Sequence, residues 1–177
     1  MSTSREDVTA EIHGFSQPDA TPTPWSAGVE LVAAADTFWL STVRPDGRPH
    51  VTPLIAVWHG EAIWFATGPD ERKAKNLAEN PSCVLTTGRS DLVDGALDVV
   101  LEGQAERVTV DAELEPIAAA FAVKYWTGMW DYVVRDGAFM HRDLGEGRAI
   151  VFRVQPVRGL GFRKGDTFSQ TTWRFSH

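Results

Sequence analysis

The sequence of 177 residues predicts a mainly β protein: a six- to seven-stranded antiparallel barrel with two to four peripheral helices. Two observations support this class. Apolar runs of strand length follow one another, and tight turns such as Pro45-Asp46-Gly47 and His59-Gly60 separate them, a pattern that predicts an antiparallel meander. The helical patterns are few, and they do not alternate with the strands as they would in a parallel α/β sheet.

The predicted meander leads directly into the segment that carries the chemical signals. Strands are predicted over residues 37–43, 50–58 and 61–67, and a short helix follows. Pro53 lies inside the second strand and has no N–H to donate, so this strand is predicted to lie at an edge, at a bulge or at a split in the sheet. A split of this kind would admit a ligand.

The helix after the third strand carries two cations in an unusual place. Asp70 is predicted to cap it, and Arg72 and Lys73 then fall in the first turn, where free N–H groups already make the field positive. Each cation there costs about 0.3–1 kcal/mol against the helix dipole. An anion such as a phosphate between them would remove this cost. An exposed, solvated basic face remains the alternative explanation.

The other elements complete one domain over residues 25–177, preceded by a flexible tail over residues 1–24. The predicted elements are a helix over 26–35, strands over 82–87 and 97–106, a helix over 111–126, a strand over 149–155, and a closing hairpin made of 160–162 and 167–175. Residues 126–148 combine bulky aromatic residues with glycines and are predicted to form a partly ordered loop that shapes a substrate pocket.

Composition excludes several classes of function. The net charge of −7 argues against general binding to nucleic acid or to an acidic membrane surface. No apolar run reaches the ~20 residues that a membrane helix needs, and the N-terminal residues do not resemble a secretory signal, so a cytoplasmic protein is expected. Cys83, the single cysteine, lies in an apolar run and is expected to be a buried structural thiol.

Familiar catalytic motifs are absent from the sequence. The five histidines are scattered without metal-site spacing, and there is no Gly-x-Ser-x-Gly, no Walker A motif and no Gly-x-Gly-x-x-Gly after a strand. The remaining signals are the cationic helix, the proline in the second strand and the small residues that end the third strand. Together they indicate a phosphate-bearing aromatic ligand.

Three segments carry a family resemblance: STVRPDGRPHVTPL, then IWFATG, then ERKAKNLAENP. In this order and spacing they resemble the pyridoxamine 5'-phosphate oxidase-like family of flavin and deazaflavin oxidoreductases. The likeness extends from about Trp25 to Phe175, and the TTWRF ending is similar to that of the actinobacterial branch, with Thr172 as a departure. The resemblance implies a split β-barrel of Greek-key type and a homodimer with the cofactor in a groove between subunits.

The resemblance also implies roles for particular residues. His50, Val51, Thr52 and Pro53 would line the ring and its chain, Thr67 the linker, and Arg72, Lys73 and Asn76 the phosphate, while Trp173 and Arg174 would complete the groove. Asp98 stands where the flavin-using oxidases tend to have a glutamine. The Arg-x-His pair that those oxidases use for pyridoxal phosphate is missing, which disfavours oxidation of pyridoxine phosphate.

The expected activity is hydride transfer from a deazaflavin coenzyme of the F-420 type to a small unsaturated substrate. An FMN-dependent oxidase or reductase is one alternative, and a non-catalytic carrier of flavin, deazaflavin or haem is another. A deazaflavin transfers a hydride without a dedicated acid. If the product needs a proton, Tyr125, His50 and His141 are the candidate donors.

Overall fold

The computed structural model describes residues 8–88, 95–125, 131–141 and 147–176. These residues form three helices and eleven strands, which confirms the mainly β class. The helices are α1 (Trp25–Ala34), α2 (Arg72–Glu79) and α3 (Asp111–Lys124). The strands are β1 (Val8–Ile12), β2 (Phe38–Val43), β3 (Pro49–Leu54), β4 (Val57–His59), β5 (Ala62–Thr67), β6 (Ser82–Thr86), β7 (Leu97–Val108), β8 (Tyr132–Arg135), β9 (Ala138–His141), β10 (Arg148–Arg163) and β11 (Ser169–Phe175).

Strand β10 organises the antiparallel sheet. One of its edges pairs with β7 from Val151 to Arg163, with a register shift between Pro156 and Arg158. Its other edge is shared, because residues 150–154 pair with β5 and residues 158–163 pair with β11. The prediction of a strand over 149–155 and a separate one over 160–162 is therefore wrong: the bulge bends a single strand without ending it.

The predicted three-stranded meander forms only in part, as two antiparallel pairs, β2 with β3 and β4 with β5. Strand β3 pairs with β2 and ends the strand order β1-β11-β10-β7-β6-β2-β3, so Pro53 lies on an edge strand. The predicted strand over 50–58 divides into β3 and β4, with Ile55 and Ala56 between them. Strand β4 pairs with β5 instead, which leaves one edge of β3 without a strand partner among the described residues.

The expectation of a flexible tail over residues 1–24 is wrong for residues 8–12. Strand β1 pairs antiparallel with β11, from Val8 opposite Phe175 to Ile12 opposite Thr171. The physical reason is that β11 would otherwise present an unpaired row of backbone groups, and β1 satisfies them. Residues 1–7 lie outside the described residues.

Part of the predicted loop over 126–148 is a hairpin. Strands β8 and β9 pair antiparallel, and Asp136 and Gly137 connect them with φ angles of 51° and 68°. An Asp-Gly pair with both residues at positive φ is the favoured two-residue hairpin turn. This signal was present in the sequence and was obscured by the surrounding aromatic residues; residues 126–130 and 142–146 lie outside the description.

Strand β5 is buried on both faces, and this arrangement produces two hydrophobic clusters. Ile63 and Phe65 face the barrel interior together with Phe38 and Leu40. Trp64 faces the second cluster, where α3 and the β8–β9 hairpin cover the outer side of the sheet. The helix thus covers the apolar outer face of β5, as its own apolar stripe predicts. None of the helices within the described ranges combines the length and apolarity of a membrane span.

Candidate cofactor site

A groove of about 390 Å³ lies where the edge strand β3 approaches the end of β5 and the start of α2. Its lining is mainly apolar on one side and charged at one end. The lining residues are Thr37, Pro53, Leu54, Ile55, Ala66, Glu71, Lys73 and Tyr132. Clefts of this volume with an apolar wall and a few polar groups commonly hold small molecules.

The start of α2 differs from the sequence prediction. The helix begins at Arg72, and the residue at its N-cap position is Glu71, not Asp70. Asp70 is therefore not the cap, and no side chain within the described ranges caps the helix. Arg72 is exposed, as a solvated basic face predicts, but Lys73 is buried and only 8% of it is accessible. The two cations of the first turn thus lie in different environments.

The Glu71 carboxylate provides the acidic partner of Lys73. Its Oε1 atom accepts two hydrogen bonds, one from the backbone N–H of Gly68 at 2.9 Å and one from the Thr67 hydroxyl at 3.0 Å. The second oxygen accepts from Lys73 Nζ. Partial burial alone would raise the pKa of the Glu71 carboxyl, but these hydrogen bonds outweigh it and hold the pKa below its ordinary value.

Thr42 connects the predicted ring-binding strand to the predicted phosphate-binding helix. Its hydroxyl accepts a hydrogen bond from Asn76 Nδ2 at 2.9 Å and lies 3.4 Å from His50 Nδ1. Thr42 and Asn76 are 2% and 0% exposed. Asn76 Oδ1 is buried and has no hydrogen-bond partner in the described part of the chain. A buried acceptor of this kind is costly unless a ligand or water completes it.

The pKa of His50 shows that cations converge on this region. Burial lowers it first, and the charges of Arg44, Lys73 and Arg72 lower it further below its ordinary value. Three cations from the β2–β3 turn and from α2 therefore act on one imidazole. A local positive field beside a groove favours a small anionic ligand even though the whole chain is acidic.

The four candidates on β3 divide between its two faces. His50 pairs with Thr42 and Thr52 pairs with Leu40, which is fully buried, so both lie on the face toward the barrel. Val51 and Pro53 lie on the outer face, and Val51 is 53% exposed. The four side chains are thus not on one surface, and what they share is the unpaired backbone edge of β3.

The C-terminal candidates lie in two different places. Trp173 is fully buried, and its indole N–H donates to the Thr23 carbonyl at 2.9 Å. A Cβ atom on Gly161 would lie 2.3 Å from the Trp173 ring, so this side chain fills the core. The expected role of Trp173 in completing the groove stays a prediction, and within this chain its side chain belongs to the core. Arg174 is exposed on β11 and pairs with Glu11 at 3.2 Å, at the other end of the strand order from β3.

Tyr125 lies at the corner between β3 and β4. Its hydroxyl is 2.9 Å from the Ala56 carbonyl, 3.1 Å from the Asp36 carbonyl and 3.2 Å from the Ala56 N–H. Burial raises the pKa of Tyr125 to about 12. Lys124 also donates to the Ala56 carbonyl, at 3.0 Å. These contacts hold the corner in place, and the role of Tyr125 as a proton donor stays a prediction.

The other proton-donor candidate and Asp98 have clear neighbours. His141 on β9 lies against Tyr132, with ring centroids 5.2 Å apart, and Tyr132 lines the groove.

Asp98 forms an ion pair with Lys164. Burial raises the pKa of the Cys83 thiol to about 12, in line with a structural role.

Sequence reasoning missed three residues of this site. Tyr132 falls in the segment that was expected to shape the pocket, but no pattern singled it out. Thr42 shares a strand face with Phe38 and Leu40, and a polar residue in that apolar stripe was the available signal. Glu71 had no signal, because an acidic residue at a helix start is ordinary.

Comparisons with known proteins agree with this architecture. Residues 26–160 match the family described as pyridoxamine 5'-phosphate oxidase. A curated pyridoxine/pyridoxamine 5'-phosphate oxidase from Pseudomonas entomophila (strain L48) is 31% identical over 108 residues. That alignment covers 58% of this chain and 49% of the relative, so the chain spans about half the length of the curated relative it matches.

Two solved structures share the fold. A haem binding protein from Mycobacterium smegmatis has a TM-score of 0.64 at 20% identity, covering 86% of this chain and 59% of its own. A protein named F-420 reductase has a TM-score of 0.50 at 18% identity, covering 73% of this chain and 93% of its own. At these identities the likeness shows the fold alone. Since the family match extends over most of the sequence, the chain belongs to the pyridoxamine 5'-phosphate oxidase family.

Proposed function

We propose that this protein is an oxidoreductase that binds a deazaflavin coenzyme of the F-420 type and reduces a small unsaturated substrate. The observation that carries the proposal is the groove beside β3, which has an apolar wall and ends at Lys73. FMN is the alternative coenzyme. The family match and a structural neighbour named F-420 reductase support a cofactor of this class.

The residues of the groove fit a phosphate-bearing ring compound. Lys73, Arg72 and Thr67 would hold the phosphate, since ammonium, guanidinium and hydroxyl groups are its usual donors. The unpaired edge of β3 offers backbone N–H and C=O groups to a planar heterocycle. Donors are thus available at the phosphate end of such a ligand, and the edge of β3 offers donors and acceptors to its ring.

A bound deazaflavin supplies two-electron hydride chemistry, and the chain supplies position and a dry environment. Leu54, Ile55 and Tyr132 give the groove its apolar walls, which exclude water from the reacting atoms. Burial and the charges of Arg44, Lys73 and Arg72 lower the pKa of His50, which favours its neutral form. The missing Arg-x-His pair argues against the substrate of the curated relative.

We also propose that the chain forms a homodimer through the outer face of β2 and β3. Trp39, Val43 and Val51 share this face and are 41%, 36% and 53% exposed. A contiguous set of exposed apolar side chains on a sheet is typical of an interface. Light scattering should report a dimer for the wild type and a monomer for Val51→Asp, whereas Val123→Asp, at a position on α3 that is 82% exposed, should remain dimeric.

A second candidate is a non-catalytic carrier of flavin, deazaflavin or haem. The observation that favours it is the structural likeness to a protein named as haem binding, over most of this chain. A carrier would use the same apolar groove without turnover. Tight binding of one ligand and no reduction of any acceptor would distinguish this function from the first.

The decisive measurement begins with the absorption spectrum and mass of any small molecule recovered with the purified protein. Anaerobic titration with reduced F-420 and with reduced FMN should then show saturable binding of one of them. Addition of a panel of planar unsaturated acceptors should oxidise the bound coenzyme. Absence of binding by both coenzymes would refute the oxidoreductase proposal, and binding without turnover would favour the carrier.

A further inference from the structure

Two of the donors assigned to the phosphate, Thr67 and Lys73, already hold an anion, and that anion belongs to the chain itself. Glu71 Oε1 accepts from the Gly68 N–H and the Thr67 hydroxyl, and Glu71 Oε2 accepts from Lys73 Nζ. One carboxylate therefore uses a backbone amide, a hydroxyl and an ammonium group at once. These are the three kinds of donor that proteins commonly aim at a phosphate.

The two members of the ion pair differ in their freedom to move. The Lys73 side chain is 10% exposed, so its ammonium is held in place by the surrounding chain. The Glu71 side chain is 53% exposed, so its carboxylate has open solvent beside it. The donors are therefore fixed, and the carboxylate is the partner that is able to leave.

We propose that Glu71 sets the affinity of this anion subsite: its carboxylate is an internal competitor that a ligand's phosphate must displace from Thr67, Gly68 and Lys73. This inference rests on the proposed function, because it concerns the phosphate end of the same groove. Glu71 acts through the donors and is not a catalytic residue. The free energy that holds its carboxylate in the subsite is subtracted from that of phosphate binding.

Removal of the competing carboxylate should therefore tighten phosphate binding. In Glu71→Gln the side chain keeps its length but loses its charge, and in Glu71→Ala it is removed altogether. Asp70→Asn is the matched control, because it removes the same charge from the next residue. The Asp70 carboxylate is 97% exposed and lies 3.7 Å from Lys75 Nζ, so it is not bonded to the subsite donors.

The probe is inorganic phosphate, followed through the Gly68 amide signal of ¹⁵N-labelled protein at constant ionic strength. We expect the Kd for phosphate to fall by about 10-fold or more in both Glu71 variants, since charged hydrogen bonds contribute on this scale. The Kd for phosphate should change by less than about 2-fold in Asp70→Asn, because the carboxylate that this variant loses is exposed and screened by solvent. Two Glu71 variants are used because a change in folding caused by one replacement side chain would not appear in the same way in the other.

Three results would overturn the inference. The first is weaker or unchanged phosphate binding in the Glu71 variants, which would make Glu71 a positioning residue for Lys73. The second is an equal gain in phosphate affinity in Asp70→Asn, which would show that the lower net negative charge alone explains the effect. The third is a Gly68 amide that shows no saturable response to phosphate in any variant.

A second set of titrations separates this inference from the proposed function. FMN and riboflavin share a ring, and only FMN carries a phosphate. The Glu71 variants should gain affinity for FMN and not for riboflavin. If no variant binds FMN or F-420 while the inorganic phosphate result holds, the proposed coenzyme is wrong and the anion subsite with its internal competitor stands.

Discussion

Lys73 and Lys124 are two lysines shielded from solvent near the same groove, and their partners give them different roles. Lys73 pairs with the half-exposed carboxylate of Glu71, which another anion is able to replace. Lys124 donates to the backbone carbonyl of Ala56 and lies over the ring of Phe38. No ligand replaces a backbone carbonyl without unfolding the corner. An exchangeable partner thus indicates a binding site, and a fixed partner indicates structural support.

The largest expected effect comes from removing the charge of Lys73, which tests whether this lysine binds a ligand. Lys73→Met keeps an unbranched side chain without the ammonium and leaves Glu71 facing the incoming phosphate. Coenzyme affinity should fall roughly 10- to 100-fold, the usual value of a hydrogen bond to a charged group. Titration calorimetry measures the change. Lys75→Met on the same helix is the control, since the Lys75 side chain is 54% exposed, and equal losses in both variants would contradict a specific site.

The next effect concerns the fixed corner. Tyr125→Phe removes the hydroxyl that the Ala56 N–H donates to, and with it the single O–H that lies within reach of the carbonyls of Ala56 and Asp36. The free energy of unfolding should fall by about 1–3 kcal/mol. Chemical denaturation measures it. If Tyr125 were instead a proton donor for catalysis, the variant would lose turnover and keep its stability.

Lys124 should make stability rise with pH, because burial disfavours its charged form in the folded state. Burial lowers its pKa from 10.5 to about 8, so between these values the unfolded state binds more protons than the folded state. Stability should therefore rise as pH increases from 7 to 9.5, relative to Lys124→Met. Urea denaturation of both proteins at each pH checks this. Parallel pH profiles would show that Lys124 titrates normally.

The smallest expected effect is on His50, which reports on the cations at the groove. Its pKa lies below the ordinary value of 6.5 because of burial and because of Arg44, Lys73 and Arg72. A bound phosphate would offset these charges and raise the pKa of His50. NMR titration of the imidazole with and without inorganic phosphate measures this change. An unaltered His50 titration would place the anion away from these cations.

The part of the site that was predictable lies within one continuous segment. Residues 37–81 form β2 to β5 and α2, and their alternation, turns and small residues are local signals that need no knowledge of distant strands. Lys73 and Asn76 lie on the short helix that the sequence predicted, and their role at a phosphate stays a prediction. The edge position of β3 is one of the three positions that Pro53 predicted, because its missing N–H is a local property.

The features that the sequence did not predict depend on a distant partner. The burial of Trp173 depends on two distant parts of the chain: Trp25 and Gly28 on α1, and Gly159 and Gly161 on β10, where the glycines make room for its ring. Strand β1 forms because β11, more than 150 residues later, offers a free edge. Such pairings carry no periodic signal of their own, so a short polar segment was interpreted as a tail.

The sequence by itself determined the β class, the turns that join β2 to β3 and β4 to β5, the family and the presence of two cations at the start of α2. Local hydrogen bonding and side-chain alternation decide these features. Only the tertiary structure decided that Lys73 is buried, that Arg72 is not, and that the carboxylate of Glu71 occupies the donors between Thr67 and Lys73. The reason is geometric: a side chain's partner is set by how the end of β5 meets α2, and residue order alone does not specify that meeting.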